Sequence, residues 1–238
     1  MPDQTKPTVV LIPGLGNTGR LWHGQRKALE EIARVIVPDL RGSESIDQMA
    51  KRVLEQSPAG PLSLVGFSLG GYVAFDILRQ SASRVDRLAL ISCSPYTDTR
   101  VAAGQRAELI EKAKDGYADV LRGMAAFVVF GAGPRAPETR EALISMGNDL
   151  GAEEFCLQQR VAMERQDCCE ILANIRVPTR VICGSDDPIT PASHSRYLAE
   201  NIPEAGLTIV DNAGHLLPLE RPDEINAFLL DWLNLPAH

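Results

Sequence analysis

Six short runs rich in Val, Ile and Leu set the terms for this chain: Thr8-Val9-Val10-Leu11-Ile12, Arg34-Val35-Ile36-Val37, Leu62 to Phe67, Arg87 to Ser92, Thr179 to Cys183 and Leu207 to Val210. A strand with one solvated face alternates apolar and polar residues, whereas runs this continuous are apolar on both faces. Helical patterns separate them, over Leu21 to Ala33, Ile46 to Gln56, Leu69 to Gln80, Ala192 to Asn201 and Pro222 to Leu233. Buried strands alternating with helices define an α/β chain: a mostly parallel, doubly wound sheet of about six strands with helices on both faces.

The rhythm stops between Ser94 and Arg176. Helical periodicity dominates there, over Arg106 to Lys114, Tyr117 to Ala126, Pro137 to Asp149 and Ala152 to Glu164, and only Phe127-Val128-Val129-Phe130 suggests a further strand. The strands on either side need each other to complete one sheet. Residues 1–94 and 177–238 are therefore expected to form a single core, with 95–176 inserted as a helical cap. A chain of 238 residues is long enough for such a core.

Composition removes several classes of function. A net charge of -7 with no cluster of Lys and Arg offers no surface for nucleic acid or an anionic membrane. No apolar stretch approaches the ~20 residues that span a bilayer. The start, Met1-Pro2-Asp3-Gln4-Thr5-Lys6-Pro7, lacks a charged segment followed by an apolar one, so no leader is expected. The 5 cysteines include the adjacent pair Cys168-Cys169, which fits neither zinc nor redox spacing, and favour a reducing cytoplasm. Nothing in the helix faces forces a dimer.

The chemistry is concentrated at strand ends. The run Leu62 to Val65 leads straight into Gly66-Phe67-Ser68-Leu69-Gly70-Gly71 and then a helix. Serine framed by glycines at such a junction sits on a sharp turn that presents its hydroxyl, with the next residue's N–H aimed at the same place. A serine hydroxyl needs a base, and the base needs an orienting carboxylate. Strand Thr179 to Cys183 runs into Gly184-Ser185-Asp186-Asp187-Pro188, and strand Leu207 to Val210 into Asp211-Asn212-Ala213-Gly214-His215. Functional groups of parallel sheets gather outside the strands' carboxyl ends, so Ser68, one of the two aspartates and His215 are expected to converge. Asp187 fits the carboxylate position and Asp186 a turn or cap. His23 and His194 lie near helix starts and read as structural, and His238 is terminal. An oxyanion hole would use the Leu69 N–H and a second N–H from Pro13-Gly14-Leu15-Gly16, where Leu15 is the candidate. Gly14, Gly16 and Gly19 also match a dinucleotide fingerprint, but no acidic partner follows at a convincing position. No metal-ligand spacing is present, and no cofactor is implied.

These segments resemble the α/β-hydrolases, specifically single-domain serine esterases. The resemblance rests on Leu11-Ile12-Pro13-Gly14, Pro38-Asp39-Leu40-Arg41-Gly42, Gly66 to Gly71, Ile175 to Pro191, and Asn212 to Pro222. It implies a Ser68–Asp187–His215 triad, a helical cap over the site, and a small-molecule ester or related acyl substrate. Three departures stand out. Pro13-Gly14 replaces the usual His-Gly, the turn after Gly42 is shortened, and the first two strands of the full family sheet are missing. Met124, Phe127, Phe130, Met146, Phe155, Leu157 and Met163 are candidates for an apolar acyl pocket, with Trp22 and His23 near its entrance. No cationic cluster near the motifs announces a phosphate or coenzyme A group. Related triad chemistries (lactone or carbon–carbon bond hydrolysis, acyl transfer, perhydrolysis) and a non-catalytic binder share the same motifs.

Overall fold

The computed structural model describes residues 6–236; the start of the chain through Thr5 and the terminal His238 lie outside the described residues. Six strands form one sheet: β1 (Thr8–Ile12), β2 (Arg34–Ile36), β3 (Leu62–Phe67), β4 (Val85–Ile91), β5 (Thr179–Gly184) and β6 (Gly206–Val210). Their order is β2-β1-β3-β4-β5-β6, and every neighbouring pair is parallel.

The continuous apolar runs explain the layers. Successive strand side chains face opposite ways, so Val10, Ile12, Leu64, Leu88, Leu90 and Val181 enter one core while Val9, Leu11, Val65, Ala89, Ile91 and Ile182 enter the other. Helices α2 (Ile46–Gln56) and α3 (Leu69–Ser81) cover the first face with α7 (Ala192–Asn201), through Met49, Val53, Val73 and Leu198. Helices α1 (His23–Leu29) and α9 (Pro222–Leu233) cover the second, through Leu29, Ile225, Leu229 and Trp232. Ser45 caps α2 by accepting the Gln48 N–H at 3.1 Å. The expected helix over Leu21 to Ala33 is shorter than its apolar pattern. A tight 3₁₀ turn, Gly19–Trp22, precedes α1, and the chain turns away after Leu29 to reach β2.

Between β4 and β5 lie α4 (Arg100–Val128), α5 (Ala136–Met163) and the single turn α6 (Cys169–Leu172). Non-helical residues Gly116 and Gly151 break α4 and α5, which recovers the four helical segments read from periodicity. The strand suggested at Phe127 to Phe130 does not form. Phe127 and Val128 finish α4 and Val129 and Phe130 follow it; Ala125 and Val128 are buried against the second core while Phe127 is 62% exposed. A four-residue apolar run fits either period, and the packed face decides it.

An ion cluster fastens the ends of this inserted segment. Asp98, just before α4, receives Arg165 at 2.6 Å and Arg106 at 2.7 Å. The Arg165 guanidinium lies 4.5 Å from the centre of the Tyr72 ring on α3 and donates to the Tyr96 and Ala162 carbonyls. Burial opposes the Asp98 charge, but the Arg165 hydrogen bond and the two guanidinium charges outweigh it and hold the carboxyl below its ordinary value. A depressed folded-state pKa contributes stability that is present above the unfolded value, about 3.9, and lost as pH falls through the folded one. Asp98→Asn, which leaves a buried Arg165 without its full counter-charge, is expected to lose about 3 kcal/mol at pH 7. Melting curves from pH 7 to pH 3 should show the two proteins converging below pH 4, as the wild type gives up that contribution.

Candidate active site

The sheet register brings the candidate residues to one edge. Phe67 is level with Ile91, Ile91 with Ile182, and Gly184 with Val210, so the chain segments that follow β3, β4, β5 and β6 all leave the sheet side by side. Ser68 stands on the turn between β3 and α3 with φ of 51°, a left-handed conformation that costs a non-glycine residue free energy. Its N–H donates to the Ile91 carbonyl at 3.0 Å, which ties the turn to β4. The flanking glycines are required by close approach. A methyl group on Gly66 would lie 2.7 Å from the Gly70 carbonyl oxygen, and one on Gly70 would collide with the carbonyl oxygen of Ile12 at the end of β1.

Ser68 Oγ lies 2.9 Å from His215 Nε2, and His215 Nδ1 lies 2.8 Å from Asp187 Oδ2. Ser68 is half-buried, whereas His215 and Asp187 are 6% and 5% exposed. Asp187 is further held by Thr190, whose N–H and hydroxyl donate at 2.9 and 2.8 Å, and by the Ile189 N–H at 2.8 Å. Burial raises its pKa, but the charge and hydrogen bond of His215 with the Thr190 donors prevail and keep the carboxyl below its ordinary range. Its acceptor toward Nδ1 leaves Nε2 to face the serine hydroxyl. Asp186, by contrast, is exposed and accepts from the neighbouring Ser185 hydroxyl within its own turn. The arrangement can take a proton from Ser68 and stabilise the resulting imidazolium.

Two of the candidate backbone donors are left open. Leu69 opens α3, and neither its N–H nor that of Leu15 has a protein acceptor among the described residues. The Pro13-to-Gly16 loop rests on the turn, with Gly14 against the Phe67 ring and the Pro13 carbonyl against Gly70. Of the glycines in the apparent dinucleotide fingerprint, Gly14 serves this packing, Gly16 takes a φ of 72°, and Gly19 opens the 3₁₀ turn.

The pocket candidates separate. Met124 is half-buried in a cluster with Leu15 and Phe155, so the insertion meets the loop after β1 there. Phe130, Leu157 and Met163 are also half-buried. Trp22 is not at an entrance: it is fully buried and meets the Phe67 ring edge-on at 6.3 Å, and Phe67 in turn supports the His215 ring at 5.2 Å. The 3₁₀ turn rotates Trp22 under the site, leaving His23 exposed on the surface. Phe127 faces outward on α4, while Phe155 and Met146 are fully enclosed by packing. His194 meets Tyr96 edge-on at 5.0 Å, and burial lowers its pKa.

Glu220 was not singled out from the sequence. The last residue of the short helix α8 (Leu217–Glu220), it is 5% exposed and accepts three backbone N–H groups: Gly214 at 2.9 Å, Leu216 at 2.9 Å and Phe130 at 3.0 Å. It brackets His215 on both sides, while the His215 N–H donates to the Val128 carbonyl at 2.9 Å. The available signal was a lone carboxylate closing the apolar run Leu216-Leu217-Pro218-Leu219.

A family model described as alpha/beta hydrolase family matches residues 9–228. A protein of Agrobacterium fabrum named carbamate hydrolase RutD is 29% identical over 255 residues, covering 99% of this chain and 95% of that one. A thermophilic esterase from Thermogutta terrifontis, solved with malate bound, has a TM-score of 0.87 and 27% identity, covering 96% of this chain and 90% of its own. The enol-lactonase of Burkholderia xenovorans LB400 has a TM-score of 0.85 over 97% of this chain and 92% of its own; at 20% identity it speaks to the fold alone.

Proposed function

The chain belongs to the α/β-hydrolase family, and on that premise we propose that it is a serine hydrolase cleaving carboxylic esters of small or medium apolar acyl groups through an acyl-enzyme on Ser68. The supporting observation is the unbroken hydrogen-bond line from Ser68 Oγ through His215 to Asp187, with links of 2.9 and 2.8 Å. His215 accepts the hydroxyl proton as Ser68 attacks the ester carbonyl. The developing oxyanion takes hydrogen bonds from the Leu15 and Leu69 N–H groups. His215 then returns its proton to the departing alcohol. In the second half-reaction His215 activates water, which releases the acid and restores Ser68. Asp187 fixes the imidazole tautomer and stabilises its charge throughout. Residues 95–176 act as the cap, with Met124 and Phe130 bordering the acyl group. A cytoplasmic location, read from the cysteine pattern, belongs to the same proposal; no helix among the described residues is long and apolar enough to cross a membrane.

A second reading, carbamate cleavage, is favoured by the relative named carbamate hydrolase RutD. The same attack on a carbamate carbonyl yields a carbamoyl-serine. A panel of nitrophenyl acetate, butyrate, octanoate and N-methylcarbamate separates the two. The ester reading expects kcat/KM to peak among the esters and fall by at least tenfold for the carbamate. Greater carbamate turnover would favour the second reading, and turnover no faster than that of Ser68→Ala on every compound would sink both.

A further inference from the structure

The loop carrying Leu15 is tied to the distal half of α5 by a bond that joins residues 142 positions apart: the Gly16 N–H donates to Gln158 Oε1 at 2.9 Å. Gln158 is 4% exposed. Its neighbours fix the orientation of its amide, because Gly16 presents only a donor and the Glu154 carboxylate only acceptors. The Gln158 NH₂ group therefore faces Glu154 Oε1, at 2.8 Å. The other Glu154 oxygen accepts the Gly42 N–H at 2.9 Å, in the turn after β2. One hydrogen-bonded line thus runs from the loop after β1, through α5, to a second loop of the core.

Leu15 sits under this line with its N–H facing no protein acceptor. Its side chain is held in the cluster of Phe155, Val120 and Met124. The residue after it, Gly16, has φ of 72°, a left-handed conformation with many nearby alternatives for a glycine. Left to itself, such a peptide would swing and carry Leu15 with it. The Gln158 carbonyl removes that freedom on one side, and the apolar cluster removes it on the other. It also occupies the Gly16 N–H, which is thereby withheld from an oxyanion.

We infer that Gln158 is a positioning residue: through the Gly16 peptide it holds the Leu15 N–H where the oxyanion forms, and it makes oxyanion stabilisation depend on how α5 is seated on the core. The inference rests on the Ser68 hydrolase reading above. It assigns to the inserted segment a part in transition-state stabilisation, beyond any covering of the substrate. A donor aimed at the transition state alone leaves its mark on kcat with little change in KM.

Three variants test this: Gln158→Leu, Gln158→Glu, and the double exchange Glu154→Gln with Gln158→Glu. The leucine removes the acceptor at similar volume. The single glutamate sets two carboxylates against each other. The double exchange restores every bond with reversed polarity at unchanged net charge, because the new carboxylate accepts from Gly16 and from the new amide, whose carbonyl accepts from Gly42. Steady-state kinetics on the best nitrophenyl ester would be paired with the affinity for an alkyl boronic acid, which adds to Ser68 as a tetrahedral anion, and with melting temperatures. Gln158→Leu and Gln158→Glu are expected to lose about 10- to 100-fold in kcat and in boronate affinity, with KM within about twofold. The double exchange should return both to within about threefold of wild type. Wild-type kcat and boronate affinity in Gln158→Leu would overturn the inference and leave the hydrolase reading intact. So would a double exchange that recovers melting temperature but not kcat. A wild-type protein inactive on all esters and carbamates would overturn both.

Discussion

Ser68→Ala is expected to lower kcat on a short-chain nitrophenyl ester by about 10⁴- to 10⁶-fold. Without the hydroxyl no acyl-enzyme forms, and His215 and Asp187 have nothing to activate. What survives is the polarising effect of the oxyanion donors on attack by water, which sets the floor. KM should stay within a few-fold, because the hydroxyl adds little to ground-state binding. The fold should be essentially unharmed, since alanine keeps the Cβ and holds the φ of 51° at the same cost as Ser68. A fluorophosphonate probe followed by intact mass gives an independent readout: one adduct on wild type and none on Ser68→Ala. An unlabelled, folded wild type would count against the nucleophile itself, whatever the ester data.

Glu220→Ala should be the most damaging change away from Ser68, His215 and Asp187. Its carboxylate accepts the N–H groups of Gly214, Leu216 and Phe130. An unsatisfied buried donor costs about 1–3 kcal/mol, so three of them, after partial relaxation, are expected to remove about 4 kcal/mol. For a domain of this size that is a fall in Tm of about 10 °C. Activity should fall even where the variant is fully folded. Gly214 and Leu216 flank His215, and a displacement near 1 Å of a reacting group can cost about 100-fold. Assayed well below its melting temperature, Glu220→Ala should therefore show kcat reduced by about that factor. Glu220→Gln retains one acceptor oxygen and should fall between the two. Full activity in a folded Glu220→Ala would dissociate the carboxylate from the placement of His215.

The features legible in the sequence were those written locally. Runs such as Leu62 to Phe67 announce a strand buried on both faces because no polar residue interrupts them. The Gly66-to-Gly71 frame announces a turn that larger side chains cannot enter, and the collisions met by added methyl groups show why. The choice of Asp187 over Asp186 followed from turn position, and it is Asp187 that meets His215. What stayed hidden was polar and long-range. Gln158, Glu154 and Glu220 sit in helical stretches where such residues ordinarily mark a solvated face. Their partners Gly16, Gly42 and Phe130 are 142, 112 and 90 residues away. Asp98 and Arg165 carry no signal of pairing for the same reason. Trp22 was misplaced by a single 3₁₀ turn, which redirects a side chain by more than periodicity resolves.

The sheet order has a consequence for how the protein is made. Strands β1 to β4 are contiguous in the sheet and all precede the insertion, whereas β5 joins β4 only after the chain from Ile91 to Thr179 has emerged. Closing a loop of that length costs about 2 kcal/mol more in entropy than closing one of ten residues. On the ribosome the turn that bears the nucleophile is therefore assembled first, and the acid and base are delivered by the last third of the translated chain. A nascent copy holds four of the six strands, with an unpaired edge at β4 that invites association with other chains. It also holds a serine with no base to activate it. Docking of β5 covers that edge, and competence follows only when β6 has joined and brought His215, so an unfinished copy is harmless as a catalyst at the very stage when it is most hazardous as a sticky surface.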